Sequence, residues 1–367
     1  MRSQSATPSP ALCAPTSEEA DPRHRRGRRH QLGCIVLIAL CAVLAGARSL
    51  TAIGQWAANA PQHTLARLGA RTTCPALGIR RPPSPATIRR VLTGLDPGAL
   101  TRMITAADLA VLVVDGKCVR GSRTRRDKAM HLLAAMTPAR HVAAQVRVAD
   151  KTSQIDALAG LLQGLDIEGS VISADALHTQ TDTAKHLVAE RKAHYVLTAK
   201  ANQPTLFAQV KALPWGQAPT LFSTSERGHG RCETRTVKVL TAPKIAFPYA
   251  KQVLRVHRWV KDLATGRVRR TYAYVVTSLS AEQAGPERLA GLVRGHWRIE
   301  ALHHVRDVSF GEDASRVRTG HGPQNMAMLR NLAIPLLAGL GMSSIPEAVR
   351  WVSYEAFTRP LGLLRIP

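Results

Sequence analysis

Residues 109–116 have the sequence Leu-Ala-Val-Leu-Val-Val-Asp-Gly, six apolar residues followed by an acidic residue and a glycine. A continuous apolar run of this length, bounded by a turn residue, is typical of a strand buried on both faces. Two further strand-like runs follow at Met130–Met136 and His141–Val148. The intervening Thr137-Pro138-Ala139-Arg140 is typical of a hairpin turn.

Helical and strand-like patterns then alternate. Apolar residues recur at helical spacing over Ser153–Leu165, and Gln180–Glu190 has a second helical pattern. Ser170–Ala174 and His194–Ala199 are apolar and strand-like. The predicted order is β-β-β-α-β-α-β, a three-stranded meander followed by βαβ crossovers. This order indicates an α/β protein with a ribonuclease H-like core.

Acidic side chains follow two of these strands. In a ribonuclease H-like sheet the ends of the first and fourth strands lie side by side, and here those ends carry Asp115 and Asp175. Carboxylate oxygens are the ligands that Mg²⁺ prefers. Each aspartate could equally be an ordinary loop cap.

A third acidic candidate lies further along the chain. Pro286–Val308 is predicted to be one long helix, with Pro286 in its first turn and Glu287 near its positive end. Glu300 and Asp307 are seven residues apart and therefore share one helix face. An alternative is a metal pair formed by Glu300 with His303 and His304, which would need matching ligands from other helices.

Charge limits the possible partners. The 367-residue chain has 50 Lys and Arg against 25 Asp and Glu, a formal charge of +25, and 45% hydrophobic residues. A core of ordinary size can form, which argues against disordered and collagen-like classes. Such a basic surface favours a nucleic-acid partner, although basic composition can also drift with an Arg-rich genome.

Cysteine spacing and one apolar segment complete the composition argument. The six cysteines are scattered and form no Cys-x-x-Cys pair, which argues against a zinc module and a dense disulfide framework. Leu32–Ala47 follows a basic patch and resembles a signal peptide or a short membrane span. It is shorter than the roughly 20 residues that a bilayer requires. We predict a buried helix, and the alternative is a membrane anchor.

The chain is predicted to have five parts. They are a disordered tail at 1–21, a small all-helical domain at 22–108 that could contact DNA, the first part of the core at 109–215, a β-rich insertion at 216–280, and a final part at 281–367 with the Glu300 helix and C-terminal helices. Within the helical domain, Ser84-Pro85 is typical of an N-cap followed by a first-turn proline. No internal repeat is apparent.

Many short motifs occur in a characteristic order from Val114 to about Leu337. They include Asp115-Gly116-Lys117 with Arg120-Gly121, Lys151–Ile155, Asp175-Ala176 with Gln180, Tyr195–Leu197, Lys200-x-Asn202-Gln203, His229-Gly230-Arg231-x-Glu233-x-Arg235, His296-Trp297-x-Ile299-Glu300, Leu302-His303, Asp307-Val308 and Phe310-x-Glu312–Ser315. On these motifs the sequence resembles the insertion-sequence DDE transposases of the H-repeat-associated (ISAs-one) family. Some members have Ile-Glu-Asn-x-Leu-His-Trp where this chain has Ile299–His304 without the Asn and Trp.

The resemblance implies a catalytic and metal-binding triad of Asp115, Asp175 and Glu300. Its cofactor would be two Mg²⁺ ions, for which Mn²⁺ can substitute, and its reaction would be DNA strand cleavage and strand transfer. The candidate DNA-contacting residues are Lys117, Arg120, Lys200, Asn202, Gln203, His229, Arg231, Arg235, Arg294, His296 and Trp297. Each basic side chain could instead be solvated surface, and packing beneath the helix is the alternative for Trp297.

The expected partners are double-stranded DNA at the element's terminal repeats and target DNA. We expect a homodimer or larger assembly in the DNA complex, in the cytoplasm at the nucleoid, without a membrane. The alternatives are a hydrolytic nuclease of the same fold, a catalytically inactive or domesticated DNA-binding relic, and a membrane protein anchored at Leu32–Ala47.

Overall fold

The computed structural model describes residues 21–102, 109–149, 154–228, 230–242 and 244–367. The chain divides into two compact units. The first unit comprises residues 1–107, 116–151 and 300–367, and the second comprises residues 108–115 and 152–299. Of the predicted tail at 1–21, only residue 21 is described. Of the Lys151–Ile155 motif, residues 151–153 lie outside the described residues.

The first unit is mainly helical. Its N-terminal helices are α1 (Leu32–Leu44), α2 (Leu50–Asn59), α3 (Gln62–Arg67), α4 (Pro85–Gly94) and α5 (Pro97–Arg102). The apolar run from Leu32 forms α1, which is almost completely buried and packs against α2, as predicted. Among the residues that the structure describes, no helix is long and apolar enough to cross a membrane.

Local signals explain where these helices begin. The Ser84 hydroxyl accepts a hydrogen bond from the backbone N–H of Thr87 at 3.2 Å, and Pro85 occupies the first turn of α4. The prediction that residues 22–108 are all helical was wrong in one place. Strands β1 (Thr72–Cys74) and β2 (Ile79–Arg80) form a small antiparallel hairpin there, because Pro75 and the left-handed Gly78 (φ +61°) make its turn.

Three strands open the main sheet. They are β3 (Val111–Val119), β4 (Met130–Met136) and β5 (Val142–Val148). In the first unit β4 pairs antiparallel with β5, and Val119 at the end of β3 packs with Met130 and Leu132 of β4. The prediction that the first strand ends at Asp115 was wrong, because β3 continues for four residues beyond it. Only its pairing with the fourth strand ends at Val114.

The second unit contains the parallel part of the sheet and its extension. After α6 (Gln154–Leu162) come β6 (Val171–Ala174), α7 (Thr181–Lys185), β7 (His194–Ala199) and α8 (Pro204–Lys211), then the strands β8 (Phe222–Gly228), β9 (Arg231–Thr241), β10 (Gln252–Asp262) and β11 (Val268–Thr277). The hydrogen-bonded order is β3-β6-β7-β11-β10-β9-β8. β3, β6 and β7 run parallel, whereas β11, β10, β9 and β8 are antiparallel.

Strand β8 was not predicted from the sequence. It is a sheet edge with mostly polar, exposed residues, so it lacks the apolar alternation that identifies a half-buried strand. The long helix α9 has the predicted bounds Pro286–Val308. Its Leu289, Leu292 and Val293 pack on valines of the sheet in one apolar core of the second unit.

The C-terminal helices belong to the first unit. They are α10 (Gly322–Ala338), α11 (Ile345–Tyr354) and α12 (Arg359–Leu363). α10 is buried over most of its length and packs against α1 and α4. Its Asn325 donates hydrogen bonds to the carbonyls of Leu92 and Leu95 at 3.0 and 2.8 Å, which satisfies acceptors that the end of α4 leaves unpaired. α10 therefore packs mainly on the N-terminal helices, and its Ala327 shares a small apolar cluster with Val119, Met130 and Leu132.

Candidate active site

Asp115 and Asp175 lie at the same level on neighbouring strands. The parallel register pairs Val114 of β3 with Ala174 of β6, and each aspartate follows directly. Adjacent strands are about 4.8 Å apart, so the backbones of Asp115 and Asp175 lie next to each other where the paired region ends. Both residues are half-buried. The two positions are therefore neighbours on the sheet of the second unit, and their joint role in binding metal stays a prediction.

The loop after Asp175 is held by several hydrogen bonds. Asp175 Oδ1 accepts the backbone N–H of Leu177 at 2.9 Å, which caps a short helical turn. Asn202 Nδ2 donates to the carbonyl of Ala176 at 2.6 Å. Gln203 Nε2 donates to Gln180 Oε1, also at 2.6 Å. Asn202 and Gln203 were predicted to contact DNA, and in this structure their amides fasten the loop that carries Asp175.

Two histidines lie near Asp175 without hydrogen-bond partners among the described residues. His178 is 1% exposed and both of its ring nitrogens are unpaired, and Nδ1 of His296 is buried and unpaired. Burial lowers the pKa of His296 to about 4, while the charge of Asp175 opposes this shift and those of Lys200 and His178 favour it. His296 is therefore close enough to Asp175, His178 and Lys200 to interact with their charges, and it is a neutral imidazole at pH 7.

Glu300 lies on α9 four residues after His296. Residues four apart in a helix share a face, so Glu300 is one turn further along the side that carries His296. Its side chain is exposed. In the described part of the chain, no group of three or more His, Cys, Asp or Glu side chains has the arrangement of a metal site. The triad with Glu300 and the alternative pairing of Glu300 with two histidines both stay predictions.

Lys117 lies in a buried cluster of charges in the first unit. Its side chain is 8% exposed, and Nζ contacts both carboxylate oxygens of Asp307 at 2.7 and 2.8 Å. Glu312, fully buried, binds Arg306 and Arg330 at 2.8 and 3.0 Å. A DNA contact by Lys117 stays a prediction, but the structure gives its ammonium a protein partner.

Arg120, by contrast, is 79% exposed and lies 3.7 Å from Asp313. The next residue, Gly121, is packed against the chain near Glu312. A Cβ atom at Gly121 would lie 2.5 Å from the carbonyl oxygen of Ser315. Glycine is therefore required for this close approach, which keeps Arg120 at the surface beside the buried charge cluster.

Three of the predicted DNA-contacting residues line one cavity in the second unit. The Arg235 guanidinium lies 5.3 Å from the centre of the Trp297 ring, and Arg294 pairs with Glu226. Together with apolar residues of β8, β9, β10 and α9 they enclose about 210 Å³. Trp297 also packs against the apolar core, in agreement with the alternative interpretation that it packs beneath the helix.

The remaining candidates are dispersed. Arg231 is 48% exposed and lies 3.8 Å from Glu233, and His229 lies outside the described residues. Sequence reasoning missed His178, whose burial and unpaired nitrogens single it out here. Its position three residues after Asp175, in Asp-Ala-Leu-His, was the available signal.

Comparison with known families identifies the family of this chain. Residues 106–336 match the family described as Transposase DDE domain, and residues 17–106 match the family described as DDE_Tnp_1-associated. The chain belongs to the DDE transposase domain family. The resemblance inferred from the motifs is thus confirmed, and the DDE domain covers more than half of the chain.

Relatives of this chain occur in Escherichia coli. The chain is 29% identical to "Putative transposase YncI" of Escherichia coli O157:H7, covering 86% of this chain and 84% of the relative. It is 27% identical to "H repeat-associated putative transposase YhhI" of Escherichia coli K12, covering 84% and 85%. A solved piggyBac transposase synaptic complex with hairpin DNA matches with a TM-score of 0.43 at 11% identity, over 92% of this chain and 72% of that chain.

Proposed function

We propose that this protein is the transposase of an insertion sequence, which cleaves DNA at the element ends and joins them to target DNA. The observation that carries the proposal is the parallel register that pairs Val114 with Ala174, the residues directly before Asp115 and Asp175, in a chain of the DDE transposase domain family. The proposed catalytic core has the ribonuclease H-like order, with Glu300 as the third carboxylate.

The donor set fits hard divalent cations. Asp115, Asp175 and Glu300 offer only carboxylate oxygens, which Mg²⁺ and Mn²⁺ prefer to nitrogen or sulfur ligands. Asp175 uses Oδ1 to cap the turn at Leu177, which fixes the orientation of its carboxylate. Two Mg²⁺ ions bound by these residues would supply the positive charge that stabilises the attacking and leaving oxygens of a phosphodiester.

The protein's own residues would then orient the DNA. Lys200 and Arg120 are exposed and would bind phosphate oxygens of the DNA. Neutral His296, one turn before Glu300, can donate or accept a hydrogen bond without adding charge. Arg231, Arg235 and Arg294, together with His229, would contact the DNA beyond the cleavage site. The amides of Asn202 and Gln203 hold the Asp175 loop in place during these contacts.

The test compares two aspartates of the second unit. Asp115→Asn should abolish Mg²⁺-dependent cleavage of a duplex that carries the element end, because the change removes a metal-ligand charge. Binding of the same duplex in EDTA should stay within about twofold of wild type. Asp182→Asn, the same chemical change at an exposed position on α7, should leave both cleavage and binding intact.

Two results would reject the proposal. Cleavage by Asp115→Asn at the wild-type rate would exclude the role of this carboxylate, and absence of cleavage by wild type in both Mg²⁺ and Mn²⁺ would favour a DNA-binding relic. A target plasmid in the assay separates the remaining alternative. Joined products identify a transposase, whereas cut ends that never join identify a hydrolytic nuclease. Mass photometry of the end complex would test the proposed homodimer or larger assembly.

A further inference from the structure

The sheet formed by β8, β9, β10 and β11 has two chemically different faces. Cross-strand pairs such as His257↔Tyr272 and Thr236↔His257 place these residues on one side, and we call this side the cationic face. The other side carries Val237, Val256 and Val275, which pack with α9 in the core of the second unit. The cationic face bears the basic residues Arg227, Lys238, Arg255, Lys261 and Arg270.

Acidic residues of these four strands all point the other way. The strands are described along their whole length, and their carboxylates are Glu226, Glu233 and Asp262. The register pairs Glu226 with Glu233 and Asp262 with Arg231, on the side opposite to His257. The cationic face therefore has basic side chains and no carboxylate within its strands, so no acidic neighbour on the same face offsets its charge.

Aromatic rings flank one cation of this face, Arg255. The Tyr272 side chain is 55% exposed and stacks on His257 with ring centres 4.7 Å apart. The Arg255 guanidinium lies 5.5 Å from the Tyr272 ring and 5.3 Å from that of Trp215. Burial, followed by the charges of Arg270 and Arg255, lowers the pKa of His257. Arg255 and Lys238 also donate hydrogen bonds to the carbonyl of Trp215, so the exposed cations of this face are Arg227, Lys261 and Arg270.

These contacts favour one kind of partner. His257 stacks on the Tyr272 ring and the Arg255 guanidinium lies 5.5 Å from its centre, so both would compete with a base for this ring. Arg255 and Lys261 are six residues apart on β10, about 20 Å along a strand, a length over which duplex DNA presents roughly 12 phosphate charges. The pattern matches a regular polyanion better than a single strand with splayed bases.

We propose that the cationic face binds the sugar–phosphate backbone of duplex DNA without reading its sequence, in addition to the contacts proposed at the cleavage site. The inference rests on the proposed function, because it concerns the same DNA substrate. Its bound segment is duplex outside the cleaved phosphodiester, either flanking the element end or in the target.

Consecutive residues of β11 provide a matched test. Arg270 lies on the cationic face, paired with Trp259, and Arg269 lies on the opposite face, paired with Val260. Both side chains are exposed, so neither substitution should affect folding, which thermal melts would verify. The variants are Arg270→Gln and Arg269→Gln, and a triple variant adds Arg227→Gln and Lys261→Gln to Arg270→Gln.

Binding of the full chain to a random-sequence 30-base-pair duplex is measured by fluorescence anisotropy in EDTA at 50 to 200 mM NaCl. Each lost phosphate contact should reduce the slope of log affinity against log salt by about 0.9. The slope should therefore fall by about 0.9 in Arg270→Gln and by about 2.7 in the triple variant. It should not change in Arg269→Gln. The salt-dependent fall in affinity over this range would be about 40-fold smaller for the triple variant.

An equal decrease of the slope in Arg269→Gln and Arg270→Gln would overturn the assignment of DNA binding to one face. An unchanged slope in the triple variant would overturn the binding role itself. A loss confined to the element-end duplex, absent with random sequence, would overturn sequence-independent binding. Because EDTA prevents catalysis, these outcomes are separate from those of Asp115→Asn. If the triple variant binds weakly and wild type does not cleave, the proposed function is rejected but the DNA-binding role of the cationic face is supported.

Discussion

Two glutamates of this protein pair with arginines in opposite environments. Glu312 of the first unit is fully buried between Arg306 and Arg330, whose side chains are 2% and 1% exposed. Glu226 of the second unit pairs with Arg294 at the surface, with side chains 55% and 37% exposed. The partners are the same chemically, so burial decides what each pair contributes. Buried charges depend on their partners, whereas exposed charges can exchange a partner for water.

The buried pair should give the largest effect. Replacing Glu312 with Gln removes the charge that Arg306 and Arg330 share, with Lys117 at 3.9 Å as a third cation. Removing one partner of a buried pair usually costs about 3–5 kcal/mol, because the remaining charge stays desolvated. We expect Glu312→Gln to lower the free energy of unfolding by this amount in urea denaturation.

A loss below about 1 kcal/mol would show that the buried cluster is rehydrated and that burial does not distinguish the two pairs. The cluster joins β3, the end of α9 and α10 through Lys117, Arg306 and Arg330. A large loss would therefore also identify it as a main support of the first unit.

Much of the fold could be predicted because local patterns were strong. β4, β7 and α9 have the predicted bounds, since each has a continuous apolar run or sustained helical spacing between turn residues. The neighbouring positions of Asp115 and Asp175 were expected from an acidic residue after each apolar run, although β3 continues four residues beyond Asp115. Weak patterns failed, as in β8, where an edge strand with polar side chains has no periodic signal.

The partners of charged residues could not be predicted. Lys117 and Asp307 are 190 positions apart in the sequence, and no local pattern indicates that they meet. Lys117 was expected at DNA phosphates because it follows Asp115, and Glu312 was noted only as part of a motif. Their burial depends on the packing of helices against the sheet, which a single sequence does not specify. Glu300 stays a prediction for the same reason.

Acid should weaken the buried pair first. Desolvation by burial raises the pKa of Glu312, but the charges of Arg306 and Arg330 outweigh it, so the pKa lies below the usual 4.5. A carboxyl with a lowered folded pKa contributes stability above its unfolded pKa and loses it as the pH falls through the folded value. The stability difference between wild type and Glu312→Gln should be constant above about pH 5.

The same difference should shrink steadily as the pH falls below about 4.5. Urea denaturation of both proteins at pH 7, 5, 4 and 3 measures it. A difference that grows on acidification would mean that the folded pKa of Glu312 is raised, so that desolvation exceeds the attraction of the arginines.

The exposed pair should give the smallest effect. Glu226→Gln removes the partner of Arg294, but water can solvate both side chains, and exposed pairs contribute roughly 0–1 kcal/mol. We expect the free energy of unfolding to fall by less than about 1 kcal/mol. At 1 M NaCl the difference between wild type and Glu226→Gln should be smaller still, because salt screens the pair. A loss as large as that of Glu312→Gln would show that Glu226 supports the neighbouring cavity, since Arg294 lines it together with Arg235 and Trp297. A small loss of unfolding free energy in Glu226→Gln, together with a large loss in Glu312→Gln, would establish that desolvation, rather than pairing itself, makes the buried charges of the first unit essential for stability.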